Sequence, residues 1–306
     1  MPDLARVLAA LRTCALRHAD GVDGRSALPG LRLMRADTPS QPLLHVCEPM
    51  FTLVLQGRAR TVLGTRSFDC GPGQCLVFPV DLPIEASVIE ASPHTPFLAL
   101  RLTLQPERIA ALLLDGRLPP APPDADAGRA PAVALGPVEL DAMQALARLL
   151  ALLDTPADLP VLSTAIEREV LWRLLNGAQG PLIRQIGAAN GRMVQIVRAI
   201  RIIREQYAST LGVEALARSV GMSPSSFHRH FRATTSMTPL QYQKQIRMQA
   251  ARARLMVRAE DVAAVGFAVG YNNPSQFSRE YRRMFGYPPG QDGERLRAMA
   301  GQAPTA

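Results

Sequence analysis

The residues best placed to do chemistry lie in the last third of the chain, where one spacing occurs twice. From Val213 the sequence reads V-E-A-L-A-R-S-V-G-M-S-P-S-S-F-H-R-H-F, and from Val262 it reads V-A-A-V-G-F-A-V-G-Y-N-N-P-S-Q-F-S-R-E-Y. In each copy a glycine (Gly221, Gly270) follows the opening valine by eight positions. An F-x-R-x-aromatic core comes next, Phe227, Arg229, Phe231 and then Phe277, Arg279, Tyr281, with a proline (Pro239, Pro289) twelve positions past each Phe. The spacing predicts two short helices around a sharp turn, because glycine accepts the left-handed backbone such a turn needs. Ser223 and Asn273 can cap the second helix, with Pro224 and Pro274 at its first position.

Within each second helix the i,i+4 aromatic pair marks the buried side and leaves the opposite side outward. That outward side carries Ser225, Ser226, His228, Arg229 and Arg232 in the first copy, and Ser275, Gln276, Arg279 and Arg282 in the second. Hydroxyl and amide groups near a helix start, with Arg one turn later, suit base edges in a major groove. A single copy would read as ordinary solvated polarity. Two copies in tandem point to duplex DNA.

The charge distribution agrees. Residues 191–306 hold 17 Lys+Arg against 7 Asp+Glu, a net of +10, whereas residues 1–190 hold 17 against 19, a net of −2. A basic half beside a near-neutral one fits a polyanion partner for the C-terminal part alone. At 306 residues the chain has room for two cores, and 47% hydrophobic content argues against disorder. No apolar run approaches the roughly 18 residues that span a bilayer, so no membrane partner is expected. Arg6, Arg12 and Arg17 interrupt the N-terminal apolar stretch, which therefore predicts an amphipathic helix and not a leader peptide. Four cysteines (Cys14, Cys47, Cys70, Cys75) without an export signal are expected to stay reduced, which places the chain in the cytoplasm.

Upstream, residues 43–104 predict short strands, with turn residues every 6–12 positions between β-branched and apolar runs. A sandwich or barrel is expected. Helical patterning starts at Pro106, and the Pro-, Ala- and Asp-rich stretch from Pro119 to Pro131 predicts an exposed linker. Two helices follow, Val138–Leu153 and about Pro160–Asn176. The first bears an apolar stripe (Leu140, Met143, Leu146, Ala147, Leu149, Leu150), which fits either an internal core or pairing with a second subunit. A hinge is expected at 187–191, then a helix from Arg192 to Tyr207. Pro239 to about Met256 reads as a single helix between the two repeats, on which Arg247, Arg252 and Arg254 could touch phosphates or stay solvated.

Residues 192–297 resemble the DNA-binding domain of the AraC/XylS family of bacterial regulators. The closing run G-Y-N-N-P-S-Q-F-S-R-E-Y-R-R-M-F-G-Y-P-P carries that likeness most specifically. The resemblance implies a seven-helix domain with two helix-turn-helix units, an asymmetric DNA site, and contact with RNA polymerase on activation. By position in the motif it assigns base reading to Ser225, Ser226, His228 and Arg229, and to Asn273, Ser275, Gln276 and Arg279. Two positions depart from the family's pattern: Ser236 replaces a usual Gly, and Asp292 a usual aromatic. Residues 43–115 are similar to the N-terminal domain of one AraC-type subgroup, through L-V-F-P-V-D-L-P-I-E-A-S-V-I-E-A-S-P-H-T-P-F-L-A-L. That similarity implies a cupin-like β-barrel binding an effector, often a small molecule.

The N-terminal part also carries residues that bear on two rival chemistries. A metal-dependent cupin enzyme needs closely spaced histidines with a carboxylate, but His45 and His94 are far apart and only Glu48 is near the first. Cys70 and Cys75 flank G-P-G-Q and could face each other as a redox pair, although buried inert thiols are the ordinary reading. Phe51, Leu53, Phe78 and Phe97 are candidates for lining a pocket, or simply for core.

The expectation is therefore an α+β chain. Residues 1–186 form an effector-binding and dimerising cupin-like barrel with flanking helices, and 187–191 a hinge. Residues 192–297 form an all-α domain of two helix-turn-helix units joined by a linker helix, and 298–306 a flexible tail. The expected partners are double-stranded DNA, RNA polymerase, an unidentified small molecule and a second copy of the chain. No cofactor, metal or catalytic residue is implied.

Overall fold

The computed structural model describes residues 3–19, 24–115, 132–188 and 192–301. The expected linker Pro119–Pro131 and positions 189–191 of the expected hinge lie outside them. By contacts the chain divides into two compact units, 1–197 with 233–236, and 198–232 with 237–306.

The first unit opens with helix α1 (Leu4–His18), followed by strands β1 (Leu31–Ala36), β2 (Leu43–Cys47), β3 (Met50–Gln56), β4 (Arg58–Leu63), β5 (Arg66–Cys70), β6 (Gln74–Phe78), β7 (Leu82–Glu90) and β8 (Phe97–Thr103). Helix α2 (Pro106–Asp115), strand β9 (Ala134–Pro137), and helices α3 (Leu140–Ala151), α4 (Leu159–Asn176) and α5 (Gly180–Gly187) complete it. The strands form two antiparallel sheets, five-stranded β1-β8-β3-β6-β9 and four-stranded β2-β7-β4-β5. The continuous apolar runs of β3 and β8 follow from their central place in the larger sheet, where both faces are covered.

One face of the five-stranded sheet packs on the helices. Phe51, Leu53, Leu100 and Leu102 join Leu11, Met143, Leu146 and Val170 in one core. Strand alternation puts Thr52, Val54, Phe78, Phe97 and Arg101 on the other face. Phe51 and Leu53 therefore serve the helical core, and only Phe78 and Phe97 of the four pocket candidates look toward the second sheet. The α3 stripe is spent inside this unit: Met143, Leu146, Leu149 and Leu150 are buried in the same core, with Leu140 and Ala147 against it. It offers no free face to a second copy. Three elements were not anticipated. β1 mixes two Arg with apolar residues without regular alternation, β9 has four residues including Gly and Pro, and α5 is eight residues between glycines. Each is too short or too mixed to signal alone and forms by pairing or packing.

The second unit is helical: α6 (Arg192–Glu205, its first turn in the first unit), α7 (Val213–Ser219), α8 (Pro224–Thr235), α9 (Pro239–Val257), α10 (Val262–Ala268), α11 (Pro274–Phe285) and α12 (Pro289–Gly301). The tail expected from residue 298 is helical as far as Gly301, and 302–306 lie outside the described residues. Among the described residues no single helix is long and apolar enough to cross a membrane.

Candidate nucleic-acid interface

Helices α7 and α8 form the first helix-turn-helix unit, α10 and α11 the second. Both turns pass through a left-handed glycine, Gly221 at φ 73° and Gly270 at φ 91°. Close approach of the helices also requires a small residue. A Cβ on Gly266 would stand 3.0 Å from the Phe277 ring, and its counterpart Ala217 is fully buried. Behind the turns lie the aromatic pairs, with ring centroids 5.4 Å apart for Phe227 and Phe231 and 5.7 Å for Phe277 and Tyr281. All four rings are fully buried, which leaves the far side of α8 and α11 free.

On α8, Ser225, His228, Arg229 and Arg232 are exposed and Ser226 is half-buried. On α11, Asn273, Ser275, Gln276, Arg279 and Arg282 are all exposed. Each group therefore lies on an accessible face of its own helix. Arg283, not anticipated, joins Gln276, Arg279 and Glu280 around a shallow groove on α11. Its signal was the Arg282-Arg283 doublet.

The caps divide unequally. Asn273 Oδ1 accepts the backbone N–H groups of Ser275 and Gln276, at 2.8 and 3.1 Å, so the residue proposed to read bases is also the N-cap. Ser223 Oγ accepts one, from Ser226 at 3.4 Å. Two of the candidate residues of α11 are tied within the helix: Arg279 Nε donates to the Ser275 carbonyl at 3.3 Å, and Gln276 Nε2 to Glu280 at 3.4 Å.

Glu280 is an acid on a helix offered to a polyanion, and the fold restrains it. Tyr271 Oη donates to it at 2.7 Å and Lys244 Nζ at 3.1 Å. Burial opposes its charge, but these hydrogen bonds outweigh burial and hold the carboxyl below its ordinary range.

The linker helix α9 spans 19 residues, about 28 Å at 1.5 Å per residue. Its start is fixed by a capping box between Thr238 and Gln241. Tyr242 packs edge-on against Phe231 of the first helix-turn-helix, at 5.7 Å, while Met248, Ala251 and Leu255 enter the core of the second helix-turn-helix. Each of its three arginines has a partner within the protein. Arg247 donates to the carbonyls of Tyr207, Ala208, Ser209 and Gly270, Arg252 pairs with Asp292, and Arg254 with Glu260.

The two departures from the motif have structural answers. Ser236 adopts φ 59° and is the one non-glycine residue with positive φ among those described, whereas its counterpart Gly286 sits at φ 80°. Asp292 is fully buried, accepting from Tyr281 Oη at 3.0 Å, Arg252 at 2.9 Å and Arg295 at 2.9 Å. Burial opposes its ionisation, yet the arginines and the phenol outweigh burial and keep it low.

The rival sites gain no support from geometry. His45 sits on β2 with Nδ1 against the Leu43 carbonyl at 3.4 Å, and it joins no group of three potential ligands among the described residues. The group that does form, Cys14, His18 and Asp154, already has Arg17 2.5 Å from the carboxylate. Cys70 and Cys75 are buried free thiols, each pushed up to about 12 by burial, and so lack the thiolate that redox chemistry uses.

An antiparallel two-sheet unit, followed along the chain by two helix-turn-helix units, defines the class, a two-part protein with a tandem helix-turn-helix module. Residues 27–182 match the family model described as AraC-type transcriptional regulator N-terminus, and residues 216–295 match a helix-turn-helix domain model. The chain belongs to the AraC-type transcriptional regulators. It is similar to the HTH-type transcriptional regulator ArgR of Pseudomonas aeruginosa, 26% identical over 158 residues, covering 51% of this chain and 47% of that protein. It is also similar to the RCS-specific HTH-type transcriptional activator RclR of Escherichia coli, 35% identical over 88 residues, 29% of this chain and 31% of the relative. These matches span half or less of either relative's length. Among solved structures, apo ToxT from Vibrio cholerae shares the fold at TM-score 0.54 and 8% identity, covering 89% of this chain and 100% of that one.

Proposed function

We propose that this chain is a one-component transcriptional regulator whose second unit reads duplex DNA through the outward faces of α8 and α11. The observation that carries this reading is the pairing of two helices with buried aromatic backs and exposed hydroxyl, amide and guanidinium fronts. Arg229 and Arg279 are assigned to base edges, with Ser225, Ser226, His228, Asn273, Ser275 and Gln276 beside them, and Arg232 and Arg282 one turn further along. Because the two fronts differ, one subunit's site is asymmetric. The reading extends to contact with RNA polymerase when transcription is activated, to a small-molecule effector held by the N-terminal unit, and to a homodimer in the cytoplasm. Any dimer contact falls outside the buried α3 stripe. Helix α4 instead exposes Val161 and Leu162.

The test is fluorescence anisotropy with a duplex selected from a random library against a scrambled duplex, over a range of salt. A preference of 10³-fold or more, with steep salt dependence, is expected for sequence-specific binding. Equal affinity for both duplexes would reduce the module to a non-specific cation surface.

A further inference from the structure

The space between the two sheets holds a charge that DNA reading does not use. Arg101 sits mid-way along β8, an inner strand of the five-stranded sheet, with Arg32 of β1 and Thr52 of β3 as its register partners. Its neighbours Leu100 and Leu102 point into the helical core, so Arg101 points the other way. There it lies close enough to His45 and Cys47 of β2 to act on both electrostatically. Its Nε is buried without a hydrogen-bond partner. Among the described residues neither Arg101 nor Arg32 has a carboxylate partner, whereas Arg35, Arg58 and Arg60 of the same sandwich pair with Asp37, Glu90 and Asp69.

This arrangement is costly. A guanidinium stays charged at every physiological pH; Arg101 is half-buried with its Nε enclosed, and an unpaired charge so placed destabilises its surroundings. Burial and then the Arg32 charge work against Arg101, pulling its pKa down. Cys47 would offset this only as a thiolate, and burial pushes its thiol up to about 12, which leaves it neutral near pH 7. His45 is likewise held neutral, by burial and by Arg101 itself. β1 and β2 are the outer strands of their sheets; Gly24 and Arg25 pair along β1 at Leu33 and Arg32, yet Arg32 stays exposed and Leu43 of β2 is 56% exposed, which leaves access there. Apolar Met34 flanks the site on β1 and Ile84 on β7, opposite His45.

We propose that Arg101, with Arg32 beside it and the His45 imidazole across from it, anchors the carboxylate of a small organic acid that enters between β1 and β2. The guanidinium fork matches a carboxylate in shape and charge, and the apolar neighbours suit an apolar body behind it. This names the class of effector for the sensing role proposed above, and rests on that reading.

The full-length protein is titrated with hexanoate and benzoate, with their uncharged amides, and with inorganic phosphate, reading the melting temperature and calorimetric binding. The acids are expected to bind and raise the melting temperature, since a ligand of the folded state stabilises it. The amides and phosphate are expected to do neither. Arg101→Gln is expected to weaken the acids at least tenfold, and Arg35→Gln to leave them unchanged. In the absence of any ligand, Arg101→Met is expected to raise the melting temperature by removing an unpaired charge. Binding of the amides or of phosphate as tightly as the acids overturns the proposal, as does failure of both acids to bind. A melting temperature lowered by Arg101→Met overturns it too, by making the residue structural. DNA affinity measured alongside separates the two claims. A neutral compound that alters it while the acids do not retains an effector and removes this one. Acids that bind through Arg101 without altering it retain the site and remove the sensing role.

Discussion

The two helix-turn-helix units share a backbone plan but are held together by different physics. In the first, Phe231 on the reading helix meets Tyr242 of the next helix ring against ring, at 5.7 Å. At the equivalent positions in the second, Tyr281 meets Asp292 through a 3.0 Å hydrogen bond, and Arg252 and Arg295 close around the same carboxylate. An uncharged aromatic contact has been exchanged for a buried ionic cluster. The fronts differ as well: Arg279 and Gln276 are tied to their own helix, whereas Arg229 and Arg232 make no hydrogen bond among the described residues. The same turn and the same aromatic back can thus be built on either kind of core, while the ties on the outward face of α11 run within its own helix.

The strongest way to break this comparison is to remove the carboxylate. Asp292→Ala leaves two guanidiniums and a phenol without their shared acceptor, and a loss of about 3–5 kcal/mol from the second unit is expected. Hydrogen exchange should place that loss in α11 and α12. A loss under about 1 kcal/mol would show that the cluster is incidental.

Acid provides the same test without a mutation. The folded-state pKa values of Asp292 and Glu280 are depressed. Their stabilisation is therefore complete above the unfolded carboxylate range, near pH 4–5, and lost as pH falls through the folded values. Protection of α11 should fall before that of α8 on acidification, and Asp292→Asn should shrink the gap. Simultaneous loss in both units would erase the distinction.

The caps give a smaller difference. Asn273→Ala removes two hydrogen bonds and is expected to cost about 1–2 kcal/mol, while Ser223→Ala removes one long bond and should cost about 0.5 kcal/mol. Denaturant titration of both variants reads the order, and the reverse order would contradict the geometry. Comparably small and opposite in sign is Ser236→Gly, which relieves the left-handed strain that Gly286 does not carry and should stabilise by about 0.5 kcal/mol. A destabilised variant would mean that the Ser236 side chain contributes more than its backbone costs.

The repeat was legible because its grammar is local. Gly221, Gly270, the two caps and the i,i+4 aromatics act within a few residues of one another, so spacing alone revealed them. Asp292 was visible as a departure from the motif, but its meaning depended on Arg252, forty positions upstream. The Tyr281 hydroxyl, standing where the first unit has Phe231, was the available hint. Arg247 read as a surface cation and is instead tied to backbone carbonyls of the α6–α7 loop and of Gly270. In the N-terminal unit, the strands of 43–104 announced themselves through turns and apolar runs, while β1 and β9 exist only through their partners. Arg101 had one signal, a lone cation inside the run F-L-A-L-R-L-T-L. Only the register of β8 shows which way it points.

The central claim, that the two faces read different bases, is tested most directly by selecting binding sites from a random duplex library with the wild type, Arg229→Ala and Arg279→Ala. The account predicts an asymmetric wild-type site. Each substitution should relax base preference in a different segment, the two about one helical turn apart, at a cost of about 1–3 kcal/mol each. Selected sites unchanged in sequence, with affinity lowered equally on specific and random DNA, would make both arginines phosphate contacts and contradict the claim.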